Sequence, residues 1–199
     1  VEDDTYSHIA PEHATRMSVL DGLQRTIYVS GFAKILVPNW RVGYLVAPPV
    51  LYPKLLQAKQ AADLHTPGFN QRVVHEVIKN GFLDHHVPTI RARYRAQCAA
   101  MAEALVQHLP EGCEWQRPQG GMFFWLRLPA GCDAMALLPQ AVEQGIAYVP
   151  GAAFYAHAPD PRTLRLSFVT LSPEDIAVGV ATLGRLLREH LDGQREVAP

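Results

Sequence analysis

Lys34 sits in the stretch VSGFAKILVPNWRVGY, residues 29–44, with Gly31, Phe32 and Ala33 before it and Ile35, Leu36 and Val37 after it. An ammonium among apolar neighbours is expensive unless it is paired or chemically changed. A lysine amine taken out of water loses part of its preference for the charged form, and a neutral amine is a nucleophile that can condense with a carbonyl. Read alone, Lys34 is more simply a long stem carrying its head to water. Three other features shift that balance. Arg41 follows seven residues later and offers a fixed cation suited to a phosphate oxygen; its bland reading is a surface arginine at a strand start. Asp3-Asp4-Thr5-Tyr6 ends a strand-like opening. An acid there can keep a ring nitrogen protonated, and Tyr6 can reach a ring hydroxyl; a solvated acidic turn is the plain alternative. Arg165 stands in TLRLSF, inside an otherwise apolar strand. A buried arginine needs an anion. A substrate carboxylate and a structural Asp or Glu both remain open.

These residues need elements to position them. The β-branched and aromatic run TIYVS, residues 26–30, predicts a strand, and RVGYLVA, residues 41–47, a second. Between them Pro38 forbids a long helix and leaves a turn. Helices are expected over residues 50–63, from Asn70 to Asn80, and from Val87 to about Leu109, where Ile90, Tyr94, Cys98, Met101, Leu105 and Leu109 mark one face. His65 and Asn70 flank a Thr-Pro-Gly break, a loop that could approach the chemistry-bearing residues; its bland reading is a surface turn. CEWQRP, GGMFFWLRLP, IAYVP and TLRLSFVTL are further strand candidates, with DAMALLPQAVEQ, residues 133–144, a helix kinked or broken near Pro139. Ser172 caps a last helix expected to run to about Leu191, ahead of a frayed tail.

Composition narrows the function classes. The 199 residues carry a net charge of −1 with no basic block, so nothing supports nucleic-acid binding through this segment. No apolar run is long enough to cross a membrane. Three cysteines without metal-ligand spacing read as reduced thiols of a cytosolic protein, and nine scattered histidines give no expectation of a metal site. The opening VEDDTY has no initiator Met and starts at a strand end, as in the C-terminal part of a longer polypeptide.

In order along the chain, these segments resemble the fold-type-I pyridoxal-phosphate enzymes of aminotransferase class I/II, and within them the 2-aminoadipate-type aminotransferases and MocR-like regulators. VEDDTY resembles the family's acidic strand end, D-x-x-Y. SGFAKILVPNWRVGY resembles the lysine segment, usually S-F-S-K-x-L-x-P-G-x-R-x-G-Y. RPQGGMFFWLRLP resembles P-x-G-G-M-F-x-W. VPGAAFY and TLRLSFVTLSPEDIAVGVATLGRLL resemble the C-terminal strands and helix. The resemblance implies an α/β chain, the C-terminal half of the aspartate-aminotransferase-like fold: residues 1–90 close the large cofactor domain's sheet, and 91–199 form a small α+β domain. It implies pyridoxal 5′-phosphate as cofactor, joined to Lys34 as a Schiff base, with Asp3 at the ring nitrogen, Tyr6 at the phenolic oxygen, Arg41 and the nearby Ser30 on the phosphate side, and Arg165 on the substrate α-carboxylate. Gly120 and Gly121 would allow close backbone approach near the substrate. The implied activity is amino transfer between an amino acid and a 2-oxo acid by a cytoplasmic homodimer. The alternative is a MocR-like regulator that senses the cofactor or an amino acid and reaches DNA through an upstream domain. The chain departs from the pattern where Gly31 and Ala33 replace hydroxyl residues, and where Asn39, tolerant of a left-handed backbone, replaces a glycine. The family's phosphate loop, ring-stacking aromatic and cofactor asparagine lie in the first half, outside these residues.

Overall fold

The computed structural model describes residues 1–10 and 15–197, excepting the side chains of 195–197. The chain forms two compact units, Val1–Arg91 together with Gln119–Gly121, and Ala92–Pro118 together with Met122 onward.

The first unit is built on a three-stranded sheet in the order β1-β2-β3: β1 (Glu2–Asp3), β2 (Tyr28–Gly31) and β3 (Gly43–Val46). β1 runs parallel to β2, with Asp3 opposite Val29; β3 runs antiparallel to β2, with Gly31 opposite Gly43. The β1–β2 link holds a short helix α1 (Met17–Leu20), whose first amides, Met17 and Ser18, are taken by the Glu2 carboxylate at 2.9 and 3.0 Å. The β2–β3 link contains a 3-10 turn, Pro38–Trp40. Helices α2 (Tyr52–Asp63) and α3 (Gly68–Ile78) follow, and Asn70 therefore lies in the first turn of α3.

Helix α4 (Phe82–His108) starts five residues before the expected Val87 and carries Pro88 inside it. Gly81, at φ +75°, makes the turn, and the Asp84 amide returns to the Gly81 carbonyl at 3.0 Å. Pro88 thus stands near the amino end, where its missing N–H removes one bond from a long ladder.

The second unit is a four-stranded antiparallel sheet, β4-β5-β7-β6, formed by β4 (Glu114–Trp115), β5 (Phe123–Arg127), β6 (Val149–Pro150) and β7 (Thr163–Ser167). Strand alternation divides its faces. Phe124, Leu126, Leu164 and Leu166 are buried, whereas Trp125 and Arg165 point the other way. The buried face meets Met101 and Leu105 of α4, Leu137 and Ala141 of α5 (Ala134–Glu143), and Ile176, Val180, Leu183 and Leu187 of α6 (Pro173–Val197). The spacing of those α6 residues is the signature of one apolar helix face.

Two helices depart from expectation. α5 runs unbroken through Pro139, held at its start by Asp133, whose carboxylate accepts the Met135 and Ala136 amides. α6 continues past Leu191 to Val197, and Gln194 donates to the Gly131 carbonyl at 3.0 Å. That long-range bond is what a polar tail read in isolation does not disclose. The last two residues of the expected frayed tail, 198 and 199, lie outside the described residues.

Candidate active site

Topology gathers four of the candidate residues on one edge of the first sheet. β1 and β2 are parallel, so Asp3 with Tyr6 and Lys34 follow their carboxyl ends. β3 returns antiparallel, so its amino end, just after Arg41, lies on the same edge. The carboxyl edge of parallel strands is where open α/β sheets place ligands. Lys34 Nζ stands 5.6 Å from the centre of the Tyr6 ring, within cation–π reach. Among the described residues Lys34 has no carboxylate in ion-pair range. The stretch around it is less enclosed than its composition suggests: Ser30 and Ile35 are buried, Lys34 itself is half-buried, and Val37 is exposed.

The loop after Lys34 differs in detail from the sequence reading. The left-handed residue is Arg41, at φ +52°, while Asn39 lies inside the 3-10 turn. A non-glycine residue held there costs about 1–3 kcal/mol and persists only where its surroundings impose it. Those surroundings are visible. Asn70 donates to the carbonyl of Trp40 at 2.9 Å, and the Phe32 amide bonds the Val42 carbonyl at 3.2 Å. Asn70, expected in a loop that could approach this region, is a helix residue that braces the arginine's turn. Gly31 is explained in the same way. A Cβ at Gly31 would press on Gly43 Cα and the Val42 carbonyl oxygen, each at 3.3 Å, so a serine here would require β3 to give way.

Ser30 is bonded within the sheet. Only 4% exposed, it donates its hydroxyl to the main-chain carbonyl of Asp4 at 3.0 Å. This bond ties β2 to the end of β1.

The three consecutive acids Glu2, Asp3 and Asp4 are separated by strand alternation. Asp3 is exposed, whereas Asp4 is buried and bonded by Arg16 Nε and the Tyr28 hydroxyl, both at 2.6 Å. Burial alone would raise the Asp4 carboxyl; bonds from Ser7 and Tyr28 and the Arg16 charge outweigh it and hold the carboxyl below its ordinary value. Burial and the bond to Asp4 push Tyr28 up to about 12, so it stays a donor.

Arg165, in the second unit, is half-buried, with its guanidinium carbon 4.0 Å from the centre of Phe123 and 4.8 Å from that of Phe154. Trp125 packs edge-on against Phe154 at 5.6 Å. Neither of the nearby arginines shares this arrangement: Arg127 and Arg162 both pair with Asp160. Among the described residues no carboxylate lies within ion-pair distance of Arg165, so the structural Asp or Glu allowed by sequence is not there. Two aromatic rings thus lie beside the guanidinium, and among the described residues no hydrogen bond to its N–H groups is formed. Gly121 adopts φ +79°, where a Cβ would meet nothing within 4 Å, and Gly120 beside it is half-buried.

The first unit thus places an acid, a lysine and a cation on one strand edge, and the second is an α+β unit bearing Arg165. Residues 1–183 match the model of the family described as aminotransferase class I and II, and the chain belongs to that family. It is 43% identical over 193 residues to the 2-aminoadipate transaminase of Thermus thermophilus, covering 94% of this chain and 48% of that protein. It is 38% identical to aromatic-amino-acid aminotransferase 1 of Thermococcus litoralis, covering 96% and 46%. The crystal structure of the alpha-aminoadipate aminotransferase LysN from T. thermophilus, complexed with N-(5′-phosphopyridoxyl)-L-leucine, superposes with a TM-score of 0.89 at 42% identity, over 96% of this chain and 50% of that one. The helix-turn-helix transcriptional regulator TauR of Rhodobacter capsulatus matches at 30% identity, over 88% of this chain and 36% of its own. The chain spans about half the length of the curated relatives it matches. Its architecture is that of the aspartate-aminotransferase-like fold, α/β in class.

Proposed function

We propose that the chain is the carboxyl-terminal part of a pyridoxal 5′-phosphate-dependent aminotransferase, which moves an amino group between an amino acid and a 2-oxo acid. The observation that carries this reading is the shared edge, where Lys34 Nζ stands 5.6 Å over the Tyr6 ring and the strand pairing brings the acid Asp3 and the cation Arg41 to the same edge. The donor set fits the cofactor moiety by moiety. The Lys34 amine suits its carbonyl, the Asp3 carboxylate its ring nitrogen, the Tyr6 hydroxyl its phenolic oxygen and the Arg41 guanidinium its phosphate.

When bound, the cofactor supplies an electron sink for the pair released at the substrate α-carbon. The chain's residues do the rest. Asp3 holds a proton at the ring nitrogen. Lys34 Nζ would anchor the cofactor and, once the substrate amine has displaced it, its freed amine would accept the proton leaving the α-carbon. Arg165 grips the α-carboxylate with two parallel N–H donors. The rings of Phe123 and Phe154 beside it restrict how a flexible cation can turn toward that carboxylate. Gly120 and Gly121 give the backbone its close approach, and Ser30 belongs to the scaffold.

The names of the relatives suggest 2-aminoadipate and aromatic amino acids as the first substrates to try. The same reading makes the complete protein a cytoplasmic homodimer; Tyr44, Leu45 and Val46 on β3 are exposed apolar residues that the remaining chain or a second copy would cover.

The test uses the complete protein. Mixed with the cofactor and reduced with borohydride, it should carry the cofactor's mass on the peptide containing Lys34. Addition of 2-aminoadipate or an aromatic amino acid to the unreduced protein should release the matching 2-oxo acid. Labelling of a different lysine sinks the assignment. Labelling without 2-oxo acid from a broad amino-acid panel favours the regulator reading, which the resemblance to TauR keeps in view.

A further inference from the structure

The run Glu2-Asp3-Asp4 places three like charges in sequence, and the strand sends them to separate tasks. Glu2 holds the amino end of α1 through the Met17 and Ser18 amides at 2.9 and 3.0 Å. Asp4 is fixed at four points. Its carboxylate takes bonds from Arg16 Nε and the Tyr28 hydroxyl, both at 2.6 Å; its amide donates to the Val29 carbonyl at 2.8 Å; its carbonyl accepts from Ser30 at 3.0 Å. Arg16 also donates to the Ser7 hydroxyl at 2.8 Å, directly after Tyr6, and lies 5.8 Å over the Tyr28 ring. Asp3, between the two clamped acids, is exposed.

We infer that Asp4, with Arg16 and Tyr28, is a positioning group for the cofactor: it fixes the end of β1 so that Asp3 and Tyr6 meet the ring. This rests on the proposed function above.

A merely structural reading would make Asp4 an ordinary buried pair, costly to break and without specific effect on the ring. Three features speak against that. Asp4 is covalently next to Asp3, so a slip of one moves the other. Its partners come from both sides of the edge, Arg16 from the β1–β2 link and Tyr28 from β2. The Arg16–Ser7 bond carries the same constraint to the residue following Tyr6. A carboxylate that must face a ring nitrogen works only when held in place, and the outer residues that orient such a group matter nearly as much as the group itself.

The test takes the complete protein as wild type and as Asp4→Asn, Arg16→Met, Arg16→Lys, Tyr28→Phe, Asp3→Asn and the Asp3→Asn/Asp4→Asn double variant. Three readouts are collected: the dissociation constant for pyridoxal 5′-phosphate added to apoprotein, the pH midpoint of the bound cofactor's visible band, and the melting temperature without cofactor. Asp4→Asn and Arg16→Met should weaken cofactor binding on the order of tenfold or more and shift the pH midpoint in the same direction as Asp3→Asn. Arg16→Lys, which retains the charge, should recover part of both. The double variant should shift the midpoint little beyond Asp3→Asn alone, because Asp4 acts through Asp3. Tyr28→Phe removes a single bond and should show a smaller shift of the same sign, so it decides the matter if the charge variants fail to fold. The inference is overturned if these variants lower the melting temperature yet leave the dissociation constant and midpoint at wild-type values. It is also overturned if the double variant's midpoint shift is the sum of the single ones. A wild type that takes up no cofactor on Lys34 refutes the proposed function itself, and is seen before any variant is made.

Discussion

Replacing Arg165 by lysine keeps the charge and removes the fork. In the structure the guanidinium lies 4.0 Å from the centre of the Phe123 ring and 4.8 Å from that of Phe154, and no acid among the described residues competes for its edges. A substrate carboxylate docked in the plane would make two charge-assisted bonds. Lysine can supply one, so one bond of about 1.5–3 kcal/mol is lost. The flat guanidinium also packs on aromatic rings better than an ammonium does, and about 0.5–1 kcal/mol of that contact is forfeited. The sum, about 2–4 kcal/mol, corresponds to roughly thirtyfold to several-hundredfold in kcat/KM. The assay is the steady-state rate with each productive amino acid and, in the reverse direction, its 2-oxo acid. Both carry the α-carboxylate, so both should suffer alike, while cofactor uptake on Lys34 should be unchanged. A kcat/KM within about threefold of wild type would refute the assignment of Arg165 to the carboxylate. A loss confined to cofactor uptake would move Arg165 to a different role.

Two glycines of α6 should respond oppositely to alanine. A Cβ at Gly184 would fall 2.0 Å from the His108 carbonyl oxygen; backbone cannot yield so far, and Gly184→Ala should destabilise by about 1–3 kcal/mol, read as a lower apparent melting temperature. Gly179 has no neighbour within 4 Å, so Gly179→Ala should stabilise the helix by about 0.5–1 kcal/mol. The pH dependence follows from Asp4, whose carboxyl is held below its ordinary value of 3.8. Its folded value is depressed, so the stability it contributes is present above the unfolded value and is lost as pH falls through the folded one. Urea midpoints of wild type should therefore converge on those of Asp4→Asn below about pH 4 and exceed them at neutral pH. A gap between the two that stays constant with pH would contradict the sign.

Much of the fold was legible because it rests on local pattern. The β-branched run before Lys34 became β2, and the apolar residues of α6 recur at the spacing that buries one helix face. The chemistry-bearing residues were legible through their order and company rather than individually. What sequence did not disclose depends on partners distant in the chain. The Ser30 hydroxyl was claimed by the Asp4 carbonyl, 26 residues away. The left-handed turn fell on Arg41 rather than Asn39 because Asn70 and the β2–β3 pairing brace it there. Pro139 read as a kink or break, yet it lies in a helix whose first amides are capped by Asp133. The division of Glu2, Asp3 and Asp4 follows from strand alternation alone, but the roles of Arg16 and Tyr28, which make Asp4 a clamp, do not.

The central claim is that Lys34 anchors the cofactor on the shared strand edge. Borohydride reduction of the complete protein with pyridoxal 5′-phosphate, followed by peptide mapping, tests it most directly. One modified lysine, Lys34, is expected, with no modification in Lys34→Ala. Cofactor fixed on another lysine, or equal labelling of the Lys34→Ala protein, would contradict it.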